Sequence, residues 1–389
     1  MDIGRVQSVE GETLEAKGPA SRIGDLLRIK CRDVDRLAVV DSFRDGRVRA
    51  SLLDDARGIG VDDAVVTTGA PLRVPTGESV LFRILDPIGR PLDGKEAPVE
   101  GGRDDEAVAT TNLFEKPRKQ KQLVTGIRTV DGLLPLVQGN HYRIIAGPGV
   151  GLQTTLAMMA KFSEVDVVVA ALVGRSPSDA FFFVEELGQS LKRSTVFYSP
   201  PYATRALQRL SLRSAVDVSC DFSRSGKRVL LLVDSLSSWL ELSADTELCE
   251  LLEQARYGEG GGVSGIYRFH PEDEDHQGSI RNHFNGTLYL TKEMCQDMIY
   301  PPFDPVRSYT VRDFLPEHVV QTTYRVREAL STYKQNEDFI RIGAIQPGFN
   351  IHVDRAVEYY PRIVDFLRQG IAERSELKET LGRLKSIFS

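Results

Sequence analysis

The sequence has four cysteines in 389 residues, Cys31, Cys220, Cys249 and Cys295, and none stands in a C-x-x-C pair. That excludes a disulfide framework or a zinc module of ordinary spacing and predicts free thiols in a reducing compartment. No run of about 18 apolar residues occurs, so no transmembrane helix is expected. The N-terminal stretch MDIGRVQSVEGE has no apolar signal region, and together these absences predict a cytoplasmic location. Net charge is −6 with no dominant basic stripe, which argues against nucleic-acid binding. The one basic run, Lys116–Lys121 (KPRKQK), reads as a solvated linker. The six histidines show no H-x-x-x-H spacing. His270, His276 and His283, in and around the acidic stretch PEDEDHQG, are expected in a solvated turn, not at a metal. Ser235 and Ser237 have no nearby His and Asp partners, so nothing supports nucleophilic catalysis. The single tryptophan, Trp239, is expected in the core.

What is present is ordinary globular composition, 41% hydrophobic and 27% charged, over a length that predicts two or three domains. Residues 1–85 show short alternating segments: Arg5–Val9, Leu27–Cys31, Leu37–Val40, Val48–Leu52 and Ser79–Ile84. Turn signals such as Glu10-Gly11, Asp45-Gly46 and Thr76-Gly77 break them, which predicts a small antiparallel β-barrel. A Gly-, Pro- and charge-rich link occupies 86–121. From there to 315, apolar strand candidates recur at Arg143–Ala146, Asp166–Val173, Thr195–Tyr198, Val229–Val233, Val263–Phe269 and Thr287–Thr291. Helical patterns at Ser178–Lys192 and Thr204–Ser225 separate several of them. Continuous runs such as VDVVVAALV and VLLLV indicate strands buried on both faces, hence a mostly parallel α/β sheet. Residues 316–389 are helical in pattern, with Val319, Val326, Leu330 and Tyr333 on one face and Leu377, Leu381, Leu384 and Ile387 on another.

The stretch that organises the rest is Tyr142–Ala160, YRIIAGPGVGLQTTLAMMA. A strand runs into a glycine-rich turn that opens a helix, the build of a phosphate-binding loop. The usual pattern is a small residue, four of any kind, then Gly-Lys-Ser/Thr. Counted from Ala146, the lysine position holds Leu152 and the hydroxyl position Gln153. Counted from Gly147, Gln153 takes the lysine position and Thr154 supplies the hydroxyl, but the second glycine is lost. In either register the lysine is absent. Gly147, Gly149, Gly151 and Thr154 are the candidate nucleotide-binding residues.

Six strings in order along the chain resemble the flagellar and type III secretion export ATPases, relatives of the catalytic subunit of the rotary ATP synthase. They are GRPLDG (Gly89–Gly94), TGIRTVDGLLPLVQG (Thr125–Gly139), the loop with AMMAKF after it, KRVLLLVDSLS (Lys227–Ser237), YPPFDP (Tyr300–Pro305) and YKQNEDFIRIGAIQPG (Tyr333–Gly348). The resemblance implies an N-terminal barrel, a RecA-like nucleotide-binding domain and a C-terminal helical domain. It also implies a ring, usually of six subunits, at the cytoplasmic base of a secretion apparatus, touching the inner membrane only through that apparatus.

The same resemblance lets the chemistry be checked position by position. It aligns the lysine with Leu152, where an apolar side chain would face the phosphates, and the hydroxyl with Gln153. The family's G-E-R-x-R-E string reads GRSPSD here, so Arg175 stands at the glutamate that polarises water, while Asp179 keeps the last acid. The arginine finger aligns with Val311, with Arg307 and Arg312 close but out of register. Asp234 remains as the carboxylate that would hold Mg2+ through water, and Tyr300 at the position that stacks on adenine. For Tyr300, packing beside two prolines is the plainer expectation. Arg175 is expected either to clamp an anion or to pair with Asp179 or Asp234 and fill the pocket. The family's proline-rich pore segment has no counterpart in Trp239–Gly262, and its leading N-terminal helix has none before a strand that starts almost at Met1.

The resemblance therefore implies an export-apparatus component with a degraded catalytic site, acting as a structural or regulatory subunit, with ATP or ADP and Mg2+ bound weakly or not at all. It would assemble with itself or in a mixed ring with an active export ATPase, and meet apparatus components, secretion substrates or chaperones. The alternatives are a weak ATPase using Gln153, Thr154 and the displaced arginines, and a docking module for substrates or chaperones built on the C-terminal helices.

Overall fold

The computed structural model describes residues 3–99, 121–236, 239, 245–256, 262–272, 278–312, 314–346, 348 and 350–389. The basic run up to residue 120, His276, Ser237, residues 240–244 and 257–261 of the segment after Trp239, and most of the acidic stretch lie outside them.

Six strands close a barrel: β1 (Ile3–Glu10), β2 (Thr13–Lys17), β3 (Asp25–Lys30), β4 (Arg36–Arg44), β5 (Arg47–Leu52) and β6 (Ala64–Pro71), in the order β1-β2-β5-β4-β3-β6. Alternation makes it possible. In β5, Val48, Ala50 and Leu52 point inward while Arg47, Arg49 and Ser51 point out, so side chains alone fill the interior. Asp45 and Gly46 both take positive φ, 50° and 70°, the two-residue hairpin geometry that a right-handed strand pair favours.

The segment Ser79–Ile84, expected in the barrel, is not part of it. Gly77–Val80 forms a single tight helical turn, and β7 (Arg83–Leu85) pairs parallel with a strand of the central sheet. Three residues are too few to show a period, and what fixes β7 is tertiary. Arg83 donates from Nε and Nη2 to the Asp93 carboxylate at 2.8 and 3.1 Å, and Asp93 also accepts from the Ile84 amide. The GRPLDG string is thus an ordered fastening for the sheet edge, not merely a link.

After a two-stranded ribbon, β8 (Gln122–Leu123) with β9 (Leu136–Val137), come β10 (His141–Ala146), β11 (Val167–Val173), β12 (Ser194–Ser199), β13 (Val229–Val233), β14 (Val263–Phe269), β15 (Gly286–Leu290) and β16 (Tyr309–Thr310). The central sheet runs β16-β15-β10-β14-β13-β11-β12-β7, parallel throughout except the β15–β16 edge. Every residue of β11 is buried. Val168, Ala170 and Leu172 face one core, and Val167, Val169, Ala171 and Val173 face the other. That two-sided burial is what the uninterrupted valines encode. Helix α1 (Arg128–Leu133) follows β8. On the first face lie α2 (Leu152–Phe162) and α3 (Pro177–Leu187); on the second lie α4 (Arg205–Arg224) and α5 (Asp245–Arg256), with Trp239 buried among them. A short α6 (Lys292–Gln296) precedes β16.

The C-terminal part is helical: α7 (Glu317–Arg341), α8 (Ile351–Leu367) and α9 (Leu377–Ser386). Val326, Leu330, Ile363 and Phe366 join the first core, and Tyr333 stacks on Tyr360 at 3.5 Å between ring centroids. The joint with the central part is polar and buried. Arg128, 1% exposed, donates to the Arg368 carbonyl at 2.8 Å and pairs with Glu373. Gln369 accepts from the Arg128 amide at 2.7 Å and donates to the Gly126 carbonyl at 2.8 Å. Asp131 ties the strand-to-helix turn by accepting from the Thr125 amide and hydroxyl and from the Gly126 amide, at 2.8–2.9 Å.

Candidate functional site

Parallel strands bring their C-terminal ends to one edge of the sheet, where ligands of open α/β sheets bind. Here β10, β11, β13 and β14 deliver the glycine-rich loop, Arg175, Asp234 and Arg268 to that edge. The loop runs from Gly147 to Gly151. Gly149 and Gly151 take φ of 78° and 72°, and Gly151 caps α2. At Gly151 the requirement is double, since a Cβ would also meet the Tyr300 ring at 2.8 Å.

Leu152 does not stand in the pocket as an apolar wall before phosphates. It is 7% exposed and packs in the core beneath the loop. The first residue of α2 can turn inward, and an apolar side chain gains by doing so. Gln153 and Thr154 remain half-buried on the same turn, and buried Thr155 donates its hydroxyl to the Gly151 carbonyl at 3.0 Å.

Tyr300 lies against the loop itself and donates its hydroxyl to the same Gly151 carbonyl at 3.1 Å. Burial pushes its phenol up, with the Thr155 and Thr154 hydroxyls acting the other way. The Tyr300 ring thus packs on the phosphate-loop backbone.

Asp234 follows β13 and is 1% exposed. Its Oδ1 accepts the Val173 amide at 2.8 Å, and its Oδ2 accepts Nε of Arg175 at 2.6 Å. Nη2 of Arg175 donates to the Asp234 carbonyl at 3.3 Å. Burial pushes the Asp234 carboxyl up; the Arg175 guanidinium, the Val173 amide and the more distant charge of Arg268 pull it back. Of the two expectations for Arg175, the structure has the pairing, and the partner is Asp234. Asp179 instead serves the start of α3, its amide donating to the Ser176 hydroxyl at 3.1 Å. Ser176 as N-cap with Pro177 at the first helical position is a strong helix start.

This donor set does not fit Mg2+. A hard cation of that size needs oxygen ligands in a near-octahedral shell, several of them water. The hydroxyl position holds the amide of Gln153, and the Asp234 carboxylate is already paired with a cation, the Arg175 guanidinium.

Val311 is half-buried. Arg312 is 8% exposed and turned inward, Nη2 reaching the Leu133 carbonyl at 3.5 Å with its guanidinium over the Tyr324 ring. Arg307 is exposed, its guanidinium over the Tyr289 ring at 4.7 Å. Neither replaces Val311 in register.

Two residues of the site escaped the sequence reading. Tyr198, at the end of β12, donates its hydroxyl to the Arg175 carbonyl at 3.0 Å. Arg268, 5% exposed, reaches the Ala146 carbonyl at 3.4 Å and lies beside His270. A charged residue inside the apolar run VSGIYRF was the available signal for Arg268. Nothing local marks Tyr198, because its role comes from strand order.

Residues 126–245 match the nucleotide-binding domain of the ATP synthase alpha/beta family, and residues 315–386 match the T3SS EscN ATPase C-terminal domain. The flagellum-specific ATP synthase of Treponema pallidum is 30% identical over 99% of this chain and 93% of its own length. The SPI-2 type 3 secretion system ATPase of Salmonella typhimurium is 28% identical over 94% of this chain and 90% of its own. The solved structure of assembled EscN with its central stalk EscO, from enteropathogenic E. coli, shares the fold at a TM-score of 0.89. It is 23% identical, over 99% of this chain and all of that one.

Proposed function

The chain belongs to the flagellar and type III secretion export ATPases, and from that premise we propose that it serves an export apparatus as a structural or regulatory subunit without hydrolysis of its own. One observation carries the reading: the side chain at the position of the water-polarising glutamate is Arg175, and it is bonded to Asp234, the carboxylate that would serve the metal. Phosphoryl transfer asks the protein for a cation clamp, a metal and a positioned water. The clamp position holds a buried leucine, and the metal position holds an internal ion pair.

The magnitudes support inactivity over weak activity. Losing a general base costs roughly 10²–10⁴ in rate, and losing an arginine finger roughly 10³–10⁵. The losses do not simply multiply, since the groups act as a unit. Nucleotide, where the retained backbone turn holds any, would bind without turnover. Assembly with itself or beside an active family member, in the cytoplasm at the base of the apparatus, is the role left to such a chain. EscN forms a complex with its central stalk EscO; by that likeness this chain would meet other components of the apparatus.

The test is ATP hydrolysis by the purified chain and by the triple substitution Leu152→Lys, Gln153→Thr, Arg175→Glu. Expected are no turnover above background in the first and measurable Mg2+-dependent turnover in the second. Turnover by the unaltered chain that Asp234→Ala abolishes would overturn the proposal.

A further inference from the structure

Arg175 is held from several directions. The Gly174 amide donates to the Ser199 carbonyl at 2.9 Å, Tyr198 donates to the Arg175 carbonyl at 3.0 Å, and Ser176 starts α3 immediately after. The main chain is thereby fixed on both sides, so the side chain has one long lever and one destination. Its Nε lies 2.6 Å from the Asp234 carboxylate. Exposure gives the order of the layers: the Asp234 side chain is 1% exposed and the Arg175 side chain 21%. The guanidinium is the outer layer, between the carboxylate and solvent.

We infer that Arg175 stands in for the divalent cation: its guanidinium neutralises Asp234 from within the chain and masks a metal site that opens only when that side chain is removed. A buried carboxylate must be compensated, because leaving one unpaired in a low-dielectric interior costs far more than pairing it. A metal ion can supply the compensation only when bound, whereas a covalently attached guanidinium supplies it always. The guanidinium also excludes: a divalent ion arriving at Asp234 would meet a positive charge at hydrogen-bond distance from its ligand, and the repulsion is largest where water is scarce. The consequence reaches beyond lost catalysis. In a chain whose metal position is permanently filled, the edge formed by the ends of β11, β12 and β13 has one arrangement, and Mg2+ does not change it.

The inference rests on the reading of the chain as a non-hydrolysing family member, and the experiment separates the two. Mn2+ is titrated into the full chain with and without ADP, with bound ion read by electron paramagnetic resonance and stability by thermal unfolding. The unaltered protein is expected to bind no Mn2+ and to show no Mn2+-dependent shift in Tm. Arg175→Ala is expected to lose about 5 °C or more in Tm, since it strands a buried charge, and to regain part of that loss with millimolar Mn2+. Arg175→Ala combined with Asp234→Asn is expected to be more stable than Arg175→Ala alone and indifferent to Mn2+. Arg175→Lys keeps a cation at the position and is expected to stay metal-free, which preserves the test if Arg175→Ala does not fold. Mn2+ binding by the unaltered or the Lys chain overturns the stand-in role, as does a Mn2+ response that survives Asp234→Asn. Hydrolysis is assayed on the same samples. Metal binding without turnover sinks this inference alone, and turnover without metal binding sinks the parent reading alone.

Discussion

Two buried carboxylates, Asp131 and Asp234, are 2% and 1% exposed, and they solve the same problem differently. Asp131 accepts three hydrogen bonds, all from the turn at Thr125 and Gly126, and no cation pairs with it among the described residues. Asp234 accepts one amide and one guanidinium. The first stands where the central part meets the C-terminal helices, inside the string TGIRTVDG. The second stands at the sheet edge where the phosphate loop ends. The joint satisfies its charge with two backbone amides and one hydroxyl of a single turn, which the fold brings to it. The pocket satisfies its charge with one amide and with the Arg175 side chain, both from the end of the neighbouring strand. The acid of the joint is held by the turn that it closes, whereas the acid of the pocket is held in a packed ion pair.

The largest test of that contrast is Asp131→Ala. It strands two amides and a hydroxyl in the interior, at about 1–3 kcal/mol for each unsatisfied group that finds no water. A loss of about 3–5 kcal/mol is expected, seen as a sharply lowered Tm and as loosened amide protection in 125–133. The carboxyl also has a pH signature. Burial raises it to about 7, against the Thr125 and Gly126 bonds. The folded chain therefore holds this proton more tightly than the unfolded one, and the contribution is full below about pH 4 and fades as pH rises through 7.

A third carboxylate sharpens the comparison. Asp93 pairs with Arg83 as Asp234 pairs with Arg175. Burial opposes its ionisation, yet the Arg83 bond and the Ile84 and Lys95 amides win, and its carboxyl is lowered to about 2. The Asp93 side chain is 8% exposed and that of Asp234 1%, so the balance tips with depth. The sign is opposite to that of Asp131: stability from Asp93 is present above about pH 4 and lost as pH falls toward 2. Asp93→Asn is expected to flatten the wild-type loss of Tm between pH 4 and 2, a contribution of about 2 kcal/mol.

The fold was legible because its signals are long. VVVAALV and VLLLV state two-sided burial residue by residue, and Thr204–Ser225 brackets α4 almost to its ends. β7 was not legible, because three residues carry no period and its partner β12 lies more than a hundred positions away. At the site, the glycine turn and the absence of lysine were readable locally. The inward turn of Leu152 and the position of Tyr300 on Gly151 were not, since both depend on what the core and the YPP turn leave open. Tyr198 reaches Arg175 only because β12 lies beside β11.

The smallest predicted effect bears on how the ion pair is held. Ser176-Pro177-Ser178-Asp179, a helix-start sequence, directly follows Arg175. If the cap only starts α3, Ser176→Ala costs about 1 kcal/mol and adds independently to Arg175→Ala. If instead the cap fixes the Arg175 main chain so that its side chain reaches Asp234, part of the stability of the pair is lost with the cap. The double substitution then costs less than the sum of the singles, by about 0.5 kcal/mol or more. Non-additivity is the expected result, because Arg175 and the N-cap are adjacent residues and the Arg175 carbonyl is itself bonded to Tyr198. Thermal unfolding of the four chains decides it, and strict additivity would mean that the pocket pair and the helix start are energetically independent.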